Sequence, residues 1–117
     1  MTVEYIGEQI FLQEVEAGRQ VWVAKGIYQN IHALEIDEAG FSLPVWSKRE
    51  RAVEYLYNAI LLEPKYEPHP VPLDVFTNAW LSDKMMAISE LQINPDGKET
   101  RVLCLTAEEF KLTQASK

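Results

Sequence analysis

The sequence predicts an α+β fold: a mainly antiparallel five-stranded sheet covered by helices, in the order αβββααββα. Three observations point there. Short runs rich in β-branched and aromatic residues, such as Q-V-W-V-A-K at 20–25, are bounded by glycine and turn residues. Longer stretches place apolar residues at helical spacing. Two S/T-x-x-E sequences, Ser47 with Glu50 and Thr106 with Glu109, mark helix starts directly after strands. At 117 residues the chain is about one domain long. Residues 3–112 are assigned to that domain and 113–117 to a frayed tail.

Residues 3–17 form the first helix, with Val3, Ile6, Ile10, Phe11 and Val15 on its apolar side and Gly18 as its left-handed cap. Strands at 20–25, 30–36 and 41–46 follow, linked at Gly26 and by the D-E-A-G turn at 37–40, and form an antiparallel meander. In the second strand His32, Leu34 and Ile36 share one face; Ile31, Ala33 and Glu35 share the other. Ser47 caps the central helix, whose buried stripe is Ala52, Val53, Leu56, Ala59 and Ile60, ending near 61. Residues 63–72 hold Pro64, Pro68, Pro70 and Pro72 and read as an extended surface connection. A third helix at 74–82 uses Leu73, Phe76, Ala79, Trp80 and Leu81. Strands at 87–93 and 99–105 are joined by a tight N-P-D-G hairpin at 94–97. The Thr106/Glu109 box opens a short last helix that buries Phe110.

Taken in order, V-W-V at 21–23, L-P-V-W at 43–46, F-x-x-x-W-L at 76–81 and T-x-E-E-F at 106–110 resemble the small bacterial proteins of the domain of unknown function 2750 family. The resemblance covers about residues 3–112. It implies a compact bacterial α+β domain and brings no catalytic residue with it.

Composition narrows the function classes. Apolar residues make up 47% and charged residues 25%, as in soluble globular domains, and the net charge is −7. With its eleven Lys and Arg scattered, such a chain repels nucleic acid and anionic membranes and accommodates a basic protein. The first twelve residues carry Glu4 and Glu8 and no basic residue, unlike a signal peptide. No apolar run approaches the ~20 residues that span a bilayer. Cys104 is the single cysteine, which excludes an intramolecular disulfide and fits a reducing cytoplasm.

No cofactor and no metal are expected. His32 and His69 lack ligand neighbours at metal spacing, and the carboxylates of Asp37, Glu38 and Asp96 belong to turns. There is no G-x-S-x-G elbow and no glycine-rich phosphate loop. Cys104, in V-L-C-L, is expected to be buried on both faces as a small hydrophobe. His32 reads as a hydrogen-bonded structural residue rather than a base.

Two features stand out. Alternation sends Val21 and Val23, and Phe41, Leu43 and Val45, to the main core, which places Trp22 and Trp46 on the opposite face. Lys48, Arg49 and Arg51 open the central helix, where cations oppose the helix dipole at a cost of about 0.3–1 kcal/mol each. They read either as a solvated turn, with Arg51 paired to Glu50 or Glu54, or as an anion site with the free amides of the helix start. The candidate binding residues are therefore Trp22, Trp46, Ser47, Lys48, Arg49 and Arg51. The sequence predicts a non-enzymatic cytoplasmic domain that binds a protein partner, as an adaptor would. The alternatives are a small-molecule or anion binder or enzyme using the Trp22/Trp46 face and the start of the central helix, or an acidic neutralising protein of the immunity type.

Overall fold

The computed structural model describes residues 3–37, 40–59, 66–83, 86–98 and 102–115. The elements are α1 (Val3–Gly18), β1 (Gln20–Gly26), β2 (Leu34–Asp37), β3 (Gly40–Val45), α2 (Arg49–Asn58) and β4 (Tyr66–Pro72). After them come α3 (Leu73–Val75, continuing as a π-helical turn over Phe76–Trp80), β5 (Ile88–Ile93), β6 (Leu103–Thr106) and α4 (Ala107–Ala115). The fold is α+β, but the sheet is not a single five-stranded one. Six strands form two sheets, a β1-β4 pair and a four-stranded sheet in the order β2-β3-β5-β6.

The expected antiparallel pairing holds for β2–β3 and β5–β6, whereas β3 and β5 run parallel. Between β3 and β5 the chain passes through α2, β4 and α3, and a crossover that long can return in the same direction. β1 does not complete a regular meander. It touches the rest through isolated antiparallel bridges, Lys25 to Ile31 and Trp22 to Trp46.

β4 corrects the reading of the proline-rich segment, of which residues 63–65 lie outside the described part. Trp22 exchanges both backbone hydrogen bonds with Trp46 (2.8 and 2.9 Å), and the Ala24 carbonyl accepts from the His32 amide at 2.9 Å. The backbones of Trp22 and Ala24 thus point away from β4, and their cross-strand partners are Pro70 and Pro68. Gln20, two residues further along, faces Pro72. Proline lacks only the amide hydrogen that these positions do not direct at β1, so the alternating prolines fit an edge strand.

Several boundaries also move. α1 ends at Gly18, but the left-handed residue is Arg19 (φ 56°), whose amide donates to the Val15 carbonyl. Ile6 and Ile10 are 44% and 40% exposed, so the buried side of α1 is Phe11 and Val15. Gly7 lies against the Leu103 side chain of β6, whose tip would have to shift to admit a Cβ. α2 stops at Asn58, and Ile60 lies outside the described residues. In α3, Ala79 is exposed, while Leu73, Phe76 and Leu81 are buried. β6 begins at Leu103; residues 99–101 lie outside the described part. α4 continues to Ala115, two residues short of the chain end, where a frayed tail from 113 was expected.

Two apolar clusters result. The main one joins Phe11, Val23, Leu43, Leu91, Phe76 and Phe110 with their neighbours, and Phe110 sits edge-on to both Phe11 and Phe76. The smaller one, on the other side of β1, holds Ala24, Trp46, Ala52 and Leu56, flanked by Trp22, Tyr55 and Tyr66. Val21 and Val23 belong to the first, as the alternation predicts, with Leu43 and Val45; Phe41 is 37% exposed.

Candidate binding cleft at the start of the central helix

The junction between β3 and α2 gathers most of the sequence-predicted binding residues, but divides them into two kinds. Trp46 is fully buried. Its indole Nε1 donates to the Pro95 carbonyl at 2.8 Å and its ring lies 5.0 Å from that of Tyr55. Trp46 thus shares a face with Trp22, its cross-strand bridge partner, but is buried there as the centre of the smaller core, with Trp22 at its edge. A Trp nitrogen needs a partner when buried, and the 94–97 loop supplies it. That loop is held down by Asn58 Nδ2, which donates to the Asp96 carbonyl at 2.7 Å. Gly97 (φ +81°) lies where a side chain would meet the Asn58 Cβ and the Tyr55 carbonyl.

Ser47 is 3% exposed and is not the cap of α2. Lys48 occupies the cap position with extended backbone and no side-chain cap bond. The Ser47 hydroxyl instead donates to Glu14 Oε1 of α1 (2.5 Å) and accepts from Asn94 Nδ2 (3.1 Å). Its amide donates to Asn94 Oδ1 at 3.0 Å. Arg51 grips the same Glu14 carboxylate with two hydrogen bonds, Nε to Oε1 at 2.8 Å and Nη2 to Oε2 at 2.9 Å. Lys48 Nζ stands 3.8 Å from Oε2. The hydrogen bond from Arg51, with that from Ser47, holds the Glu14 carboxyl below its ordinary value, against the opposing effect of burial. The same bond raises the Arg51 guanidinium. The hydrogen-bonded partner of Arg51 is thus a residue from another helix rather than Glu50 or Glu54, and Glu54 adds only a weaker charge interaction. The anion between Arg51 and Ser47 is part of the chain itself.

What stays open is a cleft of about 510 Å³ between α1, β1 and the first turn of α2. Half-buried Trp22 forms its apolar wall; Gln13, Glu14 and Ala17 of α1 line one side and exposed Lys48, Arg49 and Glu50 the other. Of the six candidate residues, Trp22, Ser47, Lys48 and Arg49 border this cleft. Arg51 borders a separate, smaller one of about 240 Å³ with Ile10 and Asn94, and Trp46 borders neither. Glu14 and Asn94 were missed by sequence reasoning. Nothing in the spacing separates Glu14 from Glu16 on the same helix, and Asn94 reads as an ordinary turn residue.

The family model described as protein of unknown function (DUF2750) matches residues 8–113. The chain belongs to the DUF2750 family. No curated protein matches it. The four motifs behind the resemblance do structural work in this DUF2750 domain: V-W-V feeds both cores, L-P-V-W ends in the buried indole, F-x-x-x-W-L puts Phe76 and Leu81 into the main core, and T-x-E-E-F builds the start of α4 around Phe110.

Other reactive groups are placed as follows. His32 Nε2 lies 3.1 Å from the Tyr55 hydroxyl, and burial pushes the imidazole down and the phenol up, so a neutral pair is favoured. Cys104 is exposed on β6, not buried on both faces, because β6 is an edge strand whose Leu105 faces the core and whose Cys104 faces out. Its flanking protein, then the Glu90 charge, raise the thiol. Among the described residues no three His, Cys, Asp or Glu side chains converge as a metal site, and no helix is long and apolar enough to cross a membrane.

Proposed function

We propose that this DUF2750 chain is a non-enzymatic cytoplasmic protein-binding module whose partner seats an acidic side chain in the cleft beside Trp22. The observation that carries this reading is the convergence of both sequence anomalies on one concavity. The half-buried indole of Trp22 and the cations Lys48 and Arg49 border the same space. Trp22 supplies an apolar wall of the kind that anchors interfaces. Lys48 and Arg49 stand at the first turn of a ten-residue helix that no side chain caps, so a partner carboxylate there meets positive charge and amide donors together. Arg51 and Ser47 hold this wall in place through Glu14 rather than contacting the partner.

The test is site-specific photo-crosslinking in cells, with p-benzoylphenylalanine at position 49 and, as control, at exposed position 78 of the π-helical turn. A discrete partner adduct from position 49, absent from position 78 and abolished by Lys48→Glu, is the expected result. Adducts that are the same from both positions, or that ignore Lys48→Glu, would refute the cleft as the binding site.

A further inference from the structure

Four strands lie at sheet edges, and the chain treats them differently. The outer side of β1 is occupied by its bridges to Trp46 and Ile31. β4 carries prolines at alternate positions facing away from β1, which removes the donors an added strand would need. β6 runs beside α1, where Leu103 packs on Gly7. β2 has neither of these; it is short, and a register irregularity blunts only its far end. Among the described residues no strand pairs with its outer side, and Leu34 and Ile36 are 47% and 49% exposed. Phe41, opposite Glu35 on β3, is 37% exposed.

We propose that β2 is a docking edge for an extended, basic segment of a partner protein, which adds to the four-stranded sheet as a further strand. An edge strand offers backbone hydrogen bonds to any incoming chain, and its side chains choose which one stays. Leu34 and Ile36 are both about half exposed and give an added strand apolar neighbours. Glu35, exposed between them, and a net charge of −7 favour Lys or Arg at the facing positions. The same charges reject a second copy of this chain, which would bring another Glu35 and another net charge of −7 to the pair. The irregularity between Glu35 and Asp37 confines regular pairing to the start of the strand. This edge is independent of the Trp22 cleft.

The probe is the acetylated, amidated hexapeptide Val-Lys-Val-Lys-Val-Lys, titrated into the full isotope-labelled chain, with the Glu-for-Lys hexapeptide as control. The expected result is chemical-shift change and slowed amide exchange centred on residues 34–37, roughly fivefold weaker binding for Glu35→Lys, and weaker binding for Leu34→Lys. Both variants replace exposed side chains, and unchanged circular dichroism and melting confirm their fold. The proposal is overturned by equal binding of the acidic peptide, by shifts centred on Trp22 and Lys48, by no binding, or by dimerisation that slows exchange at β2.

Discussion

The chain contains the same helix-start pattern twice, and only one copy closes. At Thr106 the box is complete: the Glu109 amide donates to Thr106 Oγ1 at 3.0 Å and the Thr106 amide donates to Glu109 Oε1 at 2.9 Å. At Ser47 neither bond forms; the helix starts one residue later, and hydroxyl and amide both turn to tertiary partners. The difference lies in what surrounds each residue. Thr106 is exposed and finds only its own helix. Ser47 is buried beside a carboxylate and an amide from distant parts of the chain. A cap bond contributes typically about 1 kcal/mol, whereas hydrogen bonds to a charged group reach about 1.5–3 kcal/mol. Where both are on offer, the charged partner wins. A local motif is therefore a reliable guide to structure only where no stronger long-range acceptor reaches it.

The largest effect should come from removing that acceptor. Glu14→Gln leaves the Arg51 fork and the Ser47 hydroxyl without their anion, for a loss of roughly 2 kcal/mol, limited because Arg51 is 41% exposed and water recovers part of it. Urea unfolding measures it. The pH dependence has a defined sign. The folded carboxyl lies below its unfolded value, so the contribution is complete above the unfolded value of ~4.3 and is lost as pH falls through the folded one. The stability curves of the native chain and the variant should converge below about pH 4. Curves that stay parallel into acid would mean that Glu14 is not the charged hub.

Ser47→Ala comes next. It removes a donor to Glu14 and an acceptor for Asn94 at a site 3% exposed, at a cost of about 1–2 kcal/mol. The cost should fall well below that in a Glu14→Gln background, because the two residues share one network. Additive costs would return Ser47 to the role of a simple cap.

How much of this was legible in the sequence follows from the same contrast. Val21, Val23, Leu43 and Val45 were placed correctly because alternation is a property of the strand alone. The α4 box was legible for the same local reason. The parallel β3–β5 pair depends on where a long crossover returns, and β4 on which way β1 points its backbone; neither is encoded at the site itself. The cleft was half legible. Trp22, Lys48 and Arg49 were found as anomalies, while Trp46 was lost to the core and Arg51 to Glu14, a residue thirty-seven positions away.

Thr106→Ala should cost about 0.5–1 kcal/mol, near the lower end for caps because the residue is exposed and α4 is the last helix. Amide exchange in the first turn of α4 should quicken while that of α2 is unchanged. Equal quickening in both helices would mean that the loss is global and the cap contributes nothing of its own.

The smallest effect is also the sharpest test. Glu50 and Glu109 hold the same position in the two motifs, so the same replacement by alanine can be compared directly. Glu50 is exposed, and the Ser47 amide that it would accept in a capping box already donates to Asn94 Oδ1. Glu50→Ala should therefore change stability by no more than about 0.5 kcal/mol, and leave exchange of the Ser47 amide as it was. In Glu109→Ala the Thr106 amide loses its acceptor, and its exchange should quicken markedly. If Glu50→Ala instead releases the Ser47 amide, the first motif closes in solution after all. The contrast between the two helix starts would then disappear.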